Sequence, residues 1–153
     1  MRRIDARQGQ FAVTLDPRER ELIKQLLNEL RELLALPADD PRVRRLYPAA
    51  YAEDQELEDE YRKLTREELV EGRLASIEAV EQTIDRELLT LEELTAWMQA
   101  VNSLRLVLGT ILDISEDDQE LAFDPDEPNA RTVALYGYLG GLLDEIVDAQ
   151  LNP

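Results

Sequence analysis

Apolar residues recur along most of this chain at helical spacing. Between Thr90 and Ile114 they fall at Leu94, Trp97, Met98, Val101, Leu104, Leu108, Ile111 and Leu112. Steps of three and four residues mark one face of an α-helix. Thr90 and Glu93 have the spacing of a capping box and predict where that helix starts. From Leu104 to Leu112 the run is apolar nearly all round, so this helix, 91–113, is expected to be buried at the centre of the molecule. Asn102 and Arg105 interrupt it on one side, with Gly109 one turn further on. An unpaired charge in such surroundings is very costly. Arg105 is therefore expected to be buried and salt-bridged to a carboxylate from another helix. The functional alternative is a small polar pocket, with Asn102, Arg105 and Trp97 as its residues, where Arg105 meets an anionic ligand or a partner's acidic side chain.

The flanking patterns supply the other elements. Phe11, Val13 and Leu15 alternate with polar or small residues after a turn at Gln8-Gly9, which predicts a β hairpin over 1–15. Asp16-Pro17 opens a helix, 16–36, with the stripe Ile23, Leu26, Leu27, Leu30, Leu33 and Leu34, ended by Pro37. Asp40-Pro41 can cap a short helix with Val43, Leu46 and Tyr47 on one side and Arg42, Arg44 and Arg45 on the other. A short acidic helix, 54–64, is expected to dock through Leu57, Tyr61 and Leu64. A second capping box, Thr65 and Glu68, predicts a separate helix over 66–87 with Val70, Leu74, Ile77, Val80, Ile84 and Leu88 buried. Its short connection to 91–113 predicts an antiparallel pair. Asn129 is expected to cap a last helix, 130–149, with the stripe Val133, Tyr136, Leu139, Leu143, Ile146 and Val147. Gly137, Gly140 and Gly141 lie in that helix, where glycine costs about 1 kcal/mol relative to alanine. With Gly109 they predict a close helix–helix contact, a homodimer contact through the same face being the alternative. The architecture expected is one mainly α domain over 1–153, a bundle of four or five helices with a small N-terminal β hairpin.

Composition narrows the chemistry. The chain has no cysteine and no histidine, which excludes thiol switches, thiolate or imidazole zinc sites and Ser-His-Asp catalysis. No run of 18 apolar residues exists, so no membrane helix is expected. The N-terminus has no apolar segment behind Arg2 and Arg3, so it does not read as a signal peptide, and a cytoplasmic location is the default. Net charge is −17, but residues 1–47 carry ten basic and eight acidic groups while 48–153 carry seven and twenty-six. That balance argues against duplex DNA; the acidic surface reads first as a solvated face, with steering towards a basic protein partner as the alternative. The two short segments around Asp40–Tyr47 and 54–64 could mimic a helix-turn-helix, but phosphate would repel the acidic second one. Residues 113–127 hold eight acidic groups and no basic one, yet they lack the glycine and closing glutamate of a calcium loop. A solvated acidic loop over 115–128, with no metal, is expected. No catalytic constellation is present and no cofactor is implied, so the chain reads as a non-enzymatic interaction module. Its candidate partner surface is Arg42, Arg44, Arg45, Tyr47, Tyr51, Tyr136 and Tyr138. A small anionic-ligand binder or a structural homo-oligomer is the alternative.

Four features together resemble the AosR family of actinobacterial oxidative-stress regulators. They are Phe11 with its strand before the leucine-rich helix; Asp40-Pro41 followed by Leu46-Tyr47-Pro48 and Tyr51; Trp97, Asn102 and the run from Leu104 to Thr110; and Tyr136 to Leu139. The resemblance implies a cytoplasmic regulator that acts on the transcription machinery by protein contact, with a sigma factor or RNA polymerase as partner. Redox sensing in that family is attributed to a cysteine pair. This chain has no cysteine, so that mechanism does not carry over.

Overall fold

The computed structural model describes residues 2–37, 40–47, 55–112, 126 and 128–153. The chain opens with a hairpin of β1 (Ile4–Arg7) and β2 (Gln10–Val13), in register from Ile4↔Val13 to Arg7↔Gln10. Gln8 and Gly9 both have positive φ, 49° and 83°. A two-residue loop with both residues left-handed matches the twist of the strands it joins. The alternation read in the sequence puts Phe11, Val13 and Leu15 in the core. A third strand, β3 (Leu88–Leu89), pairs with the free edge of β2. The sequence reading had no strand there, because two residues carry no periodicity. The same reading buried Leu88, but here Leu88 faces out and Leu89 faces in.

Helix α1 (Pro17–Leu34) starts from a complete capping box in which Asp16 and Glu19 exchange hydrogen bonds, and it buries Ile23, Leu26, Leu27, Leu30 and Leu34. It ends at Ala35, before Pro37. The segment after Asp40-Pro41 makes only one 3-10 turn, Arg44–Leu46, with Val43 and Leu46 buried. Helix α2 (Gln55–Thr83) is a single helix of 29 residues. The boundary expected between 64 and 66 is absent, and Thr65 lies in the interior of the helix. The expected docking through Tyr61 and Leu64 is also absent, since these side chains are 52% and 64% exposed.

Helix α3 (Leu91–Ile111) begins at the predicted Thr90/Glu93 capping box. It touches α1, α2, α4, the sheet and the 3-10 turn, so it is the centre of the packing. Bonds from Trp97 to Thr83, from Ser76 to Gln99 and from Arg73 to Ser103 run in opposite chain directions, and so make α2 and α3 the expected antiparallel pair. Helix α4 (Ala130–Leu151) also lies antiparallel on α3: Gln150 bonds Thr95 while Tyr136 meets Arg105. Asn129 makes no side-chain cap. The buried stripe of α4 is Leu139, Leu142, Ile146 and Ala149, rotated from the expected one so that Val147 faces outward. The fold is thus mainly α, with four helices among the described residues and the expected hairpin extended by one strand.

Candidate functional site

The site forms where the C-terminal half of α3 meets the N-terminal half of α4 and the 3-10 turn. Arg105 and Gly109 stand one turn apart on α3, and Tyr136 and Gly140 one turn apart on α4. The Arg105 Cζ sits 4.8 Å from the centroid of the Tyr136 ring, which is cation–π distance. A Cβ at Gly140 would lie 3.3 Å from Arg105 Nε and 3.7 Å from its Cζ, so the guanidinium packs on the bare backbone of α4. A Cβ at Gly109 would lie 3.3 Å from the Tyr136 ring and 2.9 Å from an Nη of Arg45. The two glycines therefore make room for two guanidiniums and one phenol.

Arg73 of α2 approaches the 3-10 turn from another side. It donates to the Leu46 carbonyl at 2.9 Å and to Ser103 Oγ. Burial pushes its pKa down from the ordinary value, and the neighbouring Tyr47 phenol works the other way. Its Nε, the Nε of Arg105 and the hydroxyl of Tyr47 are buried without a hydrogen-bond partner. Among the described residues no carboxylate lies within ion-pair distance of Arg73 or Arg105, although Arg2, Arg3, Arg31, Arg42 and Arg86 each pair with one. The salt bridge expected for Arg105 is thus replaced by the Tyr136 ring. The residue is half-buried rather than fully buried.

A contrasting cluster lies under the hairpin. Arg3 pairs with Glu19 and stacks over Tyr138 at 5.2 Å, and its backbone N–H donates to Glu145 at 2.7 Å. The Tyr138 hydroxyl donates to Glu19 at 3.2 Å. Burial would raise the pKa of Glu19, but bonds from the Asp16 backbone, Arg3 and Tyr138 outweigh it and hold the carboxyl below its ordinary value. Burial and the adjacent Glu19 push the Tyr138 phenol up. Every polar group here has a partner, so Tyr138 joins β1, α1 and α4 and is not free to serve as an anchor.

The residues read from the sequence divide accordingly. Trp97 is in the core, its indole N–H donating to Thr83 Oγ1 at 2.7 Å. Asn102 is exposed, so Trp97, Asn102 and Arg105 do not share a pocket. Arg42 is held by Asp40, and Arg44 and Arg45 are both engaged. Tyr51 and most of the acidic stretch 115–128 lie outside the described residues. Gly137 and Gly141 face open space with nothing within 4 Å of an added Cβ, so they make no close helix contact. Gly109 and Gly140 do, but with side chains of the facing elements. Arg73 was not anticipated. Its signal was present: it lies four residues before Ile77 and seven before Val80, on the same buried stripe. Among the described residues no group of three or more acidic side chains is placed to hold a metal, and no helix is long and apolar enough to cross a membrane.

A family model described as a domain of unknown function, DUF2017, matches residues 1–150. Searches of curated proteins and of solved structures gave no significant match.

Proposed function

We propose, for a chain that belongs to the DUF2017 family, a non-enzymatic regulatory role exercised by contact with a protein partner, with the Arg105–Tyr136 cluster receiving an acidic side chain of that partner. The observation that carries this reading is the state of Arg105. Half-buried Arg105 rests its guanidinium on an aromatic ring and a glycine, and among the described residues no carboxylate is within ion-pair distance of it. Such a guanidinium keeps its fork of donors for an incoming carboxylate, and packing has already limited its rotamers, so little entropy is lost on binding. A hydrogen bond to a charged group contributes roughly 1.5–3 kcal/mol. Among the described carboxylates, Glu19 and Asp40 have shifted pKa values, and both are shifted downward by their partners. Neither is tuned for proton transfer near neutral pH, which supports a binding role over a catalytic one. The resemblance to oxidative-stress regulators makes the transcription machinery the partner to test first. Thiol sensing within this chain is excluded by its composition.

The test is affinity capture from cytoplasmic lysate at two salt concentrations with the native chain, Arg105→Ala and Arg105→Lys. A transcription protein that the native chain retains at low salt should be lost from both variants, since an ammonium cannot reproduce the fork. Equal retention by Arg105→Ala would remove the cluster from the function. Phosphate or acetate raising the melting temperature of the native chain but not of Arg105→Ala would favour a small anionic ligand instead.

A further inference from the structure

The described side chains of α2 from Glu60 to Gly72 have no core beneath them: none is buried, yet Tyr61 and Leu64 are large and apolar. At 100° per residue Tyr61, Leu64, Glu68, Gly72 and Ala75 fall within one narrow stripe. The lower end of that stripe opens into a groove of about 510 Å³ between α2 and α3, lined by Gly72, Ala75, Ala96, Thr95, Leu91 and Glu92 among others. Leu91 at its end is 54% exposed. Gly72 meets nothing within 4 Å, so no internal contact accounts for a poor helix former at that position.

We propose that this stripe and groove dock a basic amphipathic helix of a protein partner. Charge selects the occupant. Residues 55–71 hold seven carboxylates against three basic side chains. Glu68 lies within the stripe and Glu60 and Glu71 lie along one edge of it, whereas Arg66 turns away to donate to the Leu36 carbonyl at 2.7 Å. Glu92 closes the groove on the α3 side. A second copy of the chain, paired about a two-fold axis, would bring these acidic rims against each other. A helix with an apolar stripe bordered by Lys or Arg meets apolar side chains at Tyr61, Leu64 and Leu91, a shallow floor at Gly72 and Ala75, and carboxylates at Glu68, along one edge of α2 and at Glu92. From Tyr61 to Ala75 the surface runs roughly 21 Å, which fits a partner helix of about four turns. This surface is separate from the Arg105 cluster and has the opposite charge.

The experiment is a fluorescence-anisotropy titration of the full chain with a labelled synthetic helix of Leu, Ala and Lys, and with its counterpart in which Glu replaces Lys. Only the Lys helix should bind, more weakly as salt is raised. A Tyr61→Ser, Leu64→Ser double variant leaves the net charge unchanged and alters only exposed positions. It should weaken binding about tenfold or more, as loss of apolar anchors does. Gly72→Leu, which projects into open space, should fold normally and do the same. Arg105→Ala should bind as the native chain does, so failure here and failure of the Arg105 reading are told apart. Binding that survives the charge-neutral variants would be no more than attraction to a −17 chain and would overturn the proposal. So would no binding, or a dimer in sedimentation that the same substitutions abolish.

Discussion

At Gly140 an added Cβ would lie 3.3 Å from Arg105 Nε, whereas at Gly137, one turn earlier on the same helix, it would meet nothing within 4 Å. The same residue type therefore does opposite things three positions apart. Gly140→Leu should displace the Arg105 guanidinium and cost about 1–3 kcal/mol, as overpacking does. Gly137→Ala should stabilise by roughly 0.5–1 kcal/mol, because alanine is the better helix former and nothing opposes its methyl group. Urea denaturation of both variants reads the two signs directly. Equal effects would show that the glycines of α4 share one role, as the sequence reading had supposed. That reading recognised Arg105, Gly109 and Gly140 as exceptions to the apolar pattern but not what they meet. Spacing along one helix says nothing about which side chain the neighbouring helix presents. A cation facing an aromatic ring leaves no charge partner for sequence reasoning to find. The indole N–H of Trp97 is a similar case. Its acceptor, Thr83 Oγ1, lies on another helix, and Thr83→Val should cost about 1–3 kcal/mol by leaving a buried donor unsatisfied.

Helix α2 shows where local signals are overruled at the scale of an element. Thr65 and Glu68 have capping-box spacing, but a cap works only if the residue before the helix leaves helical geometry. No proline or glycine interrupts the chain from Gln55 to Glu71. Once nucleated, a helix extends at one hydrogen bond per residue, so continuing through Thr65 is easier than stopping and nucleating again. The capping boxes at Asp16 and Thr90 are realised because extended backbone precedes each. Strand β3 was hidden for a different reason: two residues become a strand only because β2 offers them an edge. The cost of carrying α2 past the core should appear as uneven stability along it. Among the described side chains from Glu60 to Val70 none is buried to protect the amides, whereas Ile77, Val80 and Thr83 lie in the core. Hydrogen exchange should be about a hundredfold or more faster in the first segment than around Ile77–Thr83. Uniform protection along α2 would mean that the first half is held by something other than its own side chains.

For the whole molecule, the opposition between net charge and local pairing gives the pH response its shape. A chain of net charge −17 repels itself when folded. Its ion pairs are mostly exposed, and each such pair contributes about 0–1 kcal/mol. Acidification from pH ~7 towards ~5 begins to neutralise ordinary carboxylates and relieves the repulsion, so at low ionic strength the melting temperature should rise at first. Glu19 works in the other direction. Its folded pKa is held below the ordinary value of 4.5 by the Asp16 backbone, Arg3 and Tyr138, against the effect of burial. Its contribution is therefore complete above that value and is lost as pH falls through the depressed folded one. That loss loosens the junction of β1, α1 and α4, and the melting temperature should turn downward below pH ~4.5. Salt separates the two limbs. Adding about 0.5 M NaCl shortens the screening length to a few ångströms and should flatten the rise without moving the fall, because the bonds to Glu19 are at contact distance. Glu19→Gln should do the reverse, keeping the rise and shifting the fall. A melting temperature that drops steadily from pH ~7 at low salt would mean that contact pairs, rather than the net field, set the stability of this acidic bundle.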